Sequence, residues 1–194
     1  MPDSQTTGTS QASSDKSRGV ALVTGAARRL GRAIALELAA QGWDVAVHCN
    51  RSRDEADALA TQIRGLGRRA AVLQADLSDE AATARLIPAC IDALGVPACL
   101  VNNASLFQYD VATSFSYGSL DTHMRTNVAA PLLLAREMHK ALGADGNETG
   151  QLGVVINLLD QKLNNLNPDF LSYTLSKAAL QTATVQLAQA LAPR

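Results

Sequence analysis

Tyr173 and Lys177 stand four residues apart in a run, 170 to 191, with the composition of a helix. That spacing puts both side chains on one helix face, where they can act on one substrate atom. A neighbouring ammonium favours phenolate over phenol, so Lys177 is expected to draw the tyrosine pKa down from about 10 and let Tyr173 donate a proton to a reacting group. Asp160, thirteen positions earlier, adds a carboxylate. Ionised, it has no proton with which to polarise a carbonyl. Near the other end of the chain, Thr24-Gly25-Ala26-Ala27-Arg28-Arg29-Leu30-Gly31 lies between a short apolar run and an Ala/Leu/Ile-rich segment. A glycine-containing turn from strand to helix aims backbone amides at a pyrophosphate. Each signal is weak alone, because Tyr-x-x-x-Lys is common on helix surfaces and a Gly-rich turn gains meaning only from the strand before it and the helix after it.

The elements that would position these residues alternate regularly. Apolar runs at Val20 to Thr24, Val45 to Cys49, Ala70 to Ala75, Ala98 to Asn102 and Val154 to Leu159 read as strands. Helix-period segments follow each one, roughly Arg29 to Gln41, Asp54 to Gly65, Asp79 to Leu94, Leu120 to Leu142 and Phe170 to Leu191, with Gly42 and Gly65 as stops. Five βα units predict an α/β fold: a Rossmann-like, doubly wound parallel sheet with helices on both faces. Ligands then bind beyond the carboxyl ends of the strands, where every motif falls. After the second strand there is no acid to hold a ribose diol; instead Asn50-Arg51-Ser52 offers a cation and a hydroxyl to a 2′-phosphate, which favours NADPH. Ser52 reads equally as the cap of the next helix. The connection from Ala104 to Ser119 carries Phe107, Tyr109, Phe115 and Tyr117, rings that line a flat ligand's pocket or cover the core or a subunit contact.

The whole series, in this order, resembles the short-chain dehydrogenase/reductase family, and within it the pteridine reductases. The first loop is similar to the family's Thr-Gly-x-x-x-Gly-x-Gly with Arg29 at the middle glycine, and the variant with two basic residues resembles pteridine reductases, where that arginine contacts cofactor phosphate. His48-x-x-Arg51-Ser52 resembles the same group. By resemblance Asp76-Leu77 contacts the adenine ring, and Asn102-Asn103-Ala104-Ser105 stands for Asn-Asn-Ala-Gly, with Ser105 reaching cofactor or pterin. Asp76-Leu77-Ser78 is also an ordinary turn and helix entry. Asn127, in Thr126-Asn127-Val128-Ala129-Ala130-Pro131, resembles the family's helix-kinking asparagine, which supports a water relay to the lysine; locally it is a polar residue bonding ahead of Pro131. Lys177 would hold the nicotinamide ribose. Most members have serine where this chain has Asp160, but pteridine reductases also have aspartate, relaying protons with the tyrosine to a pterin nitrogen. Phe107 matches the aromatic that sandwiches the pterin against the nicotinamide.

The resemblance therefore implies hydride transfer from NADPH to a C=N bond of a pterin. Two alternatives stand beside it: a carbonyl reductase acting on a ketone or sugar, for which a hydroxyl at position 160 is expected, and a non-catalytic NADP(H)-binding fragment. It further implies a homotetramer pairing the Leu120–Leu142 and Phe170–Leu191 helices, and a C-terminal portion beyond Arg194 holding further strands and the substrate-covering loop. The domain is expected over 19–194.

Composition bounds the rest. A chain of 194 residues, 47% hydrophobic, can bury one sizeable core. A net charge of −1 gives no field to attract nucleic acid or a membrane surface. Cys49, Cys90 and Cys99 and the three histidines show no metal-ligand spacing, and the odd cysteine count fits a reducing compartment. Residues 1–18 are polar, without an apolar segment, and read as a disordered leader rather than a signal peptide. A cytoplasmic location follows, and the Asn103 and Asn147 sequons are chance matches.

Overall fold

The computed structural model describes residues 17–144 and 152–192. Most of the leader, the Asn147 sequon, the greater part of the Gly143–Gly150 loop and the last two residues lie outside these. Five strands, β1 (Val20–Val23), β2 (Asp44–Cys49), β3 (Ala70–Gln74), β4 (Pro97–Asn102) and β5 (Val154–Asn157), form one parallel sheet in the order β3-β2-β1-β4-β5. The order turns back at β1, so the crevice for a ligand opens between the carboxyl ends of β1 and β4.

Alternation along the strands makes two cores. Val20 and Leu22 of β1 pack on one face with Leu100, Ile87, Leu134 and Met138. Ala21 and Val23 pack on the other with Val45, Val47, Leu59 and Ile63. Helices α1 (Arg29–Ala40) and α2 (Arg53–Gly65) therefore cover the second face, and α4 (Leu86–Leu94) and α6 (Ala130–His139) the first. In β1, β2 and β4, residues buried on both sides explain why the strands read as unbroken apolar runs.

Several expected boundaries move, each for a local reason. The helix expected over Asp79 to Leu94 is two, α3 (Glu80–Ala84) and α4, because Pro88 has no N–H for the carbonyl of Ala84. The fourth expected helix starts earlier, as α5 (Tyr117–Met124), where Ser116 caps it by accepting from the Ser119 amide. It then widens into a π turn over Arg125–Ala129, in which the Ala130 N–H reaches back to Arg125 O. Pro131, without an N–H for the carbonyl of Asn127, sits just beyond that turn. Gly42 does leave the first helix with φ +92°, but Gly65 lies inside α2 and Gly67, at φ +79°, makes the exit instead. The last helix, α7, spans Leu171–Leu191, and β5 ends at Asn157, two residues short of the expected strand.

Among the described residues the three cysteines are free and buried. Burial pushes the Cys90 thiol up to about 12 and that of Cys99 up to about 11, which leaves both unreactive at neutral pH. No helix among these residues is long and apolar enough to cross a membrane.

Candidate active site

The turn after β1 is built around two glycines. A Cβ on Gly31 would meet Gly25 O at 2.3 Å and Asn103 Nδ2 at 2.4 Å, so only glycine lets α1 start this close to the strand ends. Gly25, at φ +61°, lies against Ala104. Arg29 has φ +51°, a left-handed conformation costly for a side chain and natural for glycine, which accounts for the glycine that this position carries in the resembling loops. No side chain caps the first turn of α1. Its leading amides are therefore available to an anion.

Side chains from β2 and from just beyond β1 and β4 fix this turn. His48 Nδ1 accepts from the Gly25 N–H at 3.0 Å, so Nε2 carries the proton and donates to Ala75 O at 3.1 Å. Burial holds this imidazole neutral, with a pKa lowered to about 4. Asn103 Nδ2 donates to the carbonyls of Thr24 and Gly25, and Thr24 Oγ1 accepts from the amides of Asn103 and Ala104. Sequence reasoning used His48 only as part of a motif and overlooked its bracing role.

Gly25, Arg28, Asn50, Arg51 and Ser52 line one cleft of about 510 Å³. Asp76, Leu77, Ala104 and Ser105 line it too, and Leu106, Gln108, Thr122 and Thr126 form its far wall. Ser52 occupies the capping position of α2 but makes no side-chain capping bond, and it lines the cleft. Arg51 has no salt bridge among the described residues, whereas Arg28 is paired with Glu55. The Asp76 carboxylate accepts from the amide and hydroxyl of Ser78, which holds its pKa below the usual range. Five residues expected at the cofactor stand apart from the cleft lining: Leu30 is exposed, Arg29 and Gly31 lie in α1 beyond the turn, Lys177 lies on α7, and Asn102 turns its side chain away to donate to Asn157 Oδ1 at 2.8 Å. The cradle, the amides and the Arg51–Ser52 pair fit a dinucleotide bearing an extra phosphate.

At the far side of β4, α7 presents its first turn. The Tyr173 phenol donates to Asp160 Oδ2 at 2.6 Å, and Asp160 Oδ1 accepts from the Lys162 amide at 2.8 Å. Those two bonds, the phenol's foremost, hold the Asp160 carboxyl below its ordinary range. Lys177 Nζ donates to Leu158 O at 2.7 Å and lies 5.8 Å from the Tyr173 ring. Burial lowers the Lys177 pKa. The effect on tyrosine is opposite to that expected from Lys177 alone: burial first, and then the Asp160 carboxylate, raise the phenol pKa, while Ser105 draws it slightly down. The pair therefore rests as phenol and carboxylate.

Asn127 does not bond locally. Its Nδ2 donates to Ser176 Oγ at 2.9 Å and Leu106 O at 3.0 Å, and its Oδ1 accepts from the Leu106 amide at 2.7 Å. Phe107, next in the chain, is 56% exposed, stacks on Phe170 at 4.1 Å and meets Tyr173 edge-on at 4.6 Å. Tyr109 joins this cluster through Phe170, while Phe115 and Tyr117 are exposed and take no part in it. Among the described residues no group of His, Cys, Asp and Glu could hold a metal.

The sequence model of the short chain dehydrogenase family matches residues 19–194. Among solved structures, FolM alternative dihydrofolate reductase 1 from Brucella canis, complexed with NADP, superposes with a TM-score of 0.84 at 47% identity, covering 91% of this chain and 70% of that one. Its counterpart from Brucella suis, also with NADP, gives 0.83 at 46%, covering 91% and 71%. An uncharacterized oxidoreductase, YgfF, of Escherichia coli (strain K12) is 34% identical over 171 residues, 87% of this chain and 68% of the relative. The chain thus spans roughly two thirds of its relatives' length. It belongs to the short-chain dehydrogenase family.

Proposed function

We propose that the protein is an NADPH-dependent reductase of a pterin or dihydrofolate-like ring. The observation that carries this reading is the 2.6 Å hydrogen bond from Tyr173 to the Asp160 carboxylate, beside the exposed face of Phe107. A ketone reductase needs a second neutral donor at the reacting oxygen, and an ionised Asp160 is none. A ring nitrogen needs one proton as hydride reaches the adjacent carbon, and Tyr173 has one to give, with Asp160 and Lys177 to govern its return. The FolM proteins, crystallised with NADP and bearing the name dihydrofolate reductase, support the same reading.

Gly25, Gly31 and the open first turn of α1 would hold the pyrophosphate, Arg51 and Ser52 the 2′-phosphate, and Lys177 the ribose nearest the reaction. The bound nucleotide supplies the hydride. Phe107 offers a flat ring a stacking surface, and Ser105 a hydroxyl contact.

The test is oxidation of NADPH with dihydrobiopterin, dihydrofolate or a simple ketone, comparing the protein with Tyr173→Phe. Turnover of the reduced pterins and not of the ketone is expected. Tyr173→Phe should bind NADPH as before and lose at least a hundredfold in kcat, the usual scale of a general acid. Ketone turnover without pterin turnover would overturn the proposal.

A further inference from the structure

The loop from Leu106 to Asp110 exposes Phe107, Gln108 and Tyr109 between a half-buried Leu106 and a buried Asp110. Phe107 and Tyr109 are 56% and 64% exposed and both meet Phe170. The residues between and beside them are fastened inward. Leu106 is gripped through its amide and carbonyl by Asn127. The Gln108 amide donates to His123 Nε2 at 3.3 Å. Asp110 accepts the amides of Leu171 (through its backbone carbonyl, 3.1 Å) and Ser172 (through Oδ1, 2.9 Å), and its Oδ2 accepts from the hydroxyls of Ser172 and Ser119. His123 and Asn127, four residues apart on consecutive turns, thus hold the backbone on either side of Phe107.

We propose that His123 and Asp110 are positioning residues for the reaction: buried near the end of α5 and in the loop before it, against the start of α7, they set where Phe107 stands relative to Tyr173, and with it the affinity for a flat ring. His123 is wholly buried. Its Nδ1 lies 2.8 Å from Ser119 O, and since Nε2 accepts from Gln108, Nδ1 must carry the proton and donate. That fixes one tautomer and one ring orientation. Asp110 ties the same loop to the two amides just before Tyr173, so the loop bearing Phe107 and the helix bearing the phenol move as one body. Phe170, in a left-handed conformation at φ +58° with no cap of its own, keeps its place under Phe107 only while Asp110 holds the residues after it. Neither residue needs to touch the ligand. A stacking wall displaced by a fraction of an ångström loses dispersion contact with its guest, while the phosphate turn after β1, which Leu106 and Gln108 face across the cleft, is braced by His48 and Asn103 rather than by His123 or Asp110.

The proposal rests on the pterin reading, and its test separates the two. His123→Phe keeps the ring and removes the acceptor; His123→Gln restores an acceptor near Nε2. In His123→Phe the KM for dihydrobiopterin should rise about tenfold while the Kd for NADPH stays within about twofold, and His123→Gln should recover most of the loss. An unchanged pterin KM in His123→Phe, or pterin and NADPH affinities falling together, overturns the proposal. Amide hydrogen exchange in the nucleotide-free protein reads the same anchor without turnover. Lost protection at Gln108 in His123→Phe, retained in His123→Gln, supports it, and unchanged protection overturns it even where no pterin is reduced. Asp110→Asn, read at the Ser172 and Gln108 amides, serves in the same way where His123→Phe does not fold.

Discussion

At Tyr173 three neighbours compete over one proton. Lys177 favours phenolate, yet its ammonium lies beyond the ring and is committed to Leu158 O, while the Asp160 carboxylate accepts the phenol proton directly. Burial first, and then the short hydrogen bond to a negative charge, outweigh a cation held farther off, so the phenol stays protonated. The sign of an Asp160→Asn substitution follows. A neutral amide removes the charge that opposes ionisation, so the tyrosine titration and the alkaline limb of the rate profile should both move to lower pH. Absorbance titration of the phenolate, with Tyr173→Phe subtracted, measures this; an unmoved titration would mean that burial alone sets the value. That Tyr173 and Lys177 share a helix face was legible in the sequence, because a spacing of four fixes it, whereas Asp160 was singled out only by the family resemblance. The direction of the tyrosine shift was not legible, because it depends on which atom of Asp160 faces the phenol, and thirteen residues of intervening chain do not encode that.

The elements divide in the same way. All five strands could be read as short apolar runs between helix-period segments, and in β1, β2 and β4 burial on both faces leaves a run of Val, Leu and Ala that few other structures explain. The break at Pro88 and the exit at Gly67 were missed, and the distortion before Pro131 was foreshadowed only by the resemblance at Asn127, because each depends on one missing N–H or one left-handed residue within an otherwise helical pattern. Asp110 and His123 were invisible for a different reason: their partners are backbone amides supplied by other segments. His48 belongs to this class, and its pH behaviour is a test of the phosphate turn. Its folded pKa of about 4 lies below the ordinary 6.5, so its contribution is complete above pH 6.5 and is lost as pH falls toward 4. The interval amounts to about 3 kcal/mol as an upper figure. His48→Gln should be less stable at neutral pH by about 1–3 kcal/mol, from a strained or lost bond to Gly25, yet flatter between pH 6.5 and 5. Urea midpoints across that range decide it; equal slopes in both proteins would remove His48 as the source of acid sensitivity.

For the whole molecule, the doubly wound order gathers the ends of β1, β2, β3 and β4 around one cleft, so that a single long ligand touches residues from four elements. Binding there couples to global unfolding, because a ligand that recognises only the folded sheet stabilises it by mass action. At one hundred times its Kd, NADPH should add about 2.7 kcal/mol, a rise in melting temperature of roughly 5–10 °C for a domain of this size. NADH at the same concentration should give a distinctly smaller rise, since Arg51 and Ser52 would have no phosphate to bind. Arg51→Ala should close most of that gap by weakening NADPH roughly tenfold while leaving NADH nearly unchanged. Thermal melts of the two proteins with each nucleotide read both effects without any substrate. Equal shifts for NADPH and NADH in the unsubstituted protein would move phosphate recognition away from the end of β2, whereas a gap that survives Arg51→Ala would assign it to the remaining donors of the cleft, Arg28 first among them.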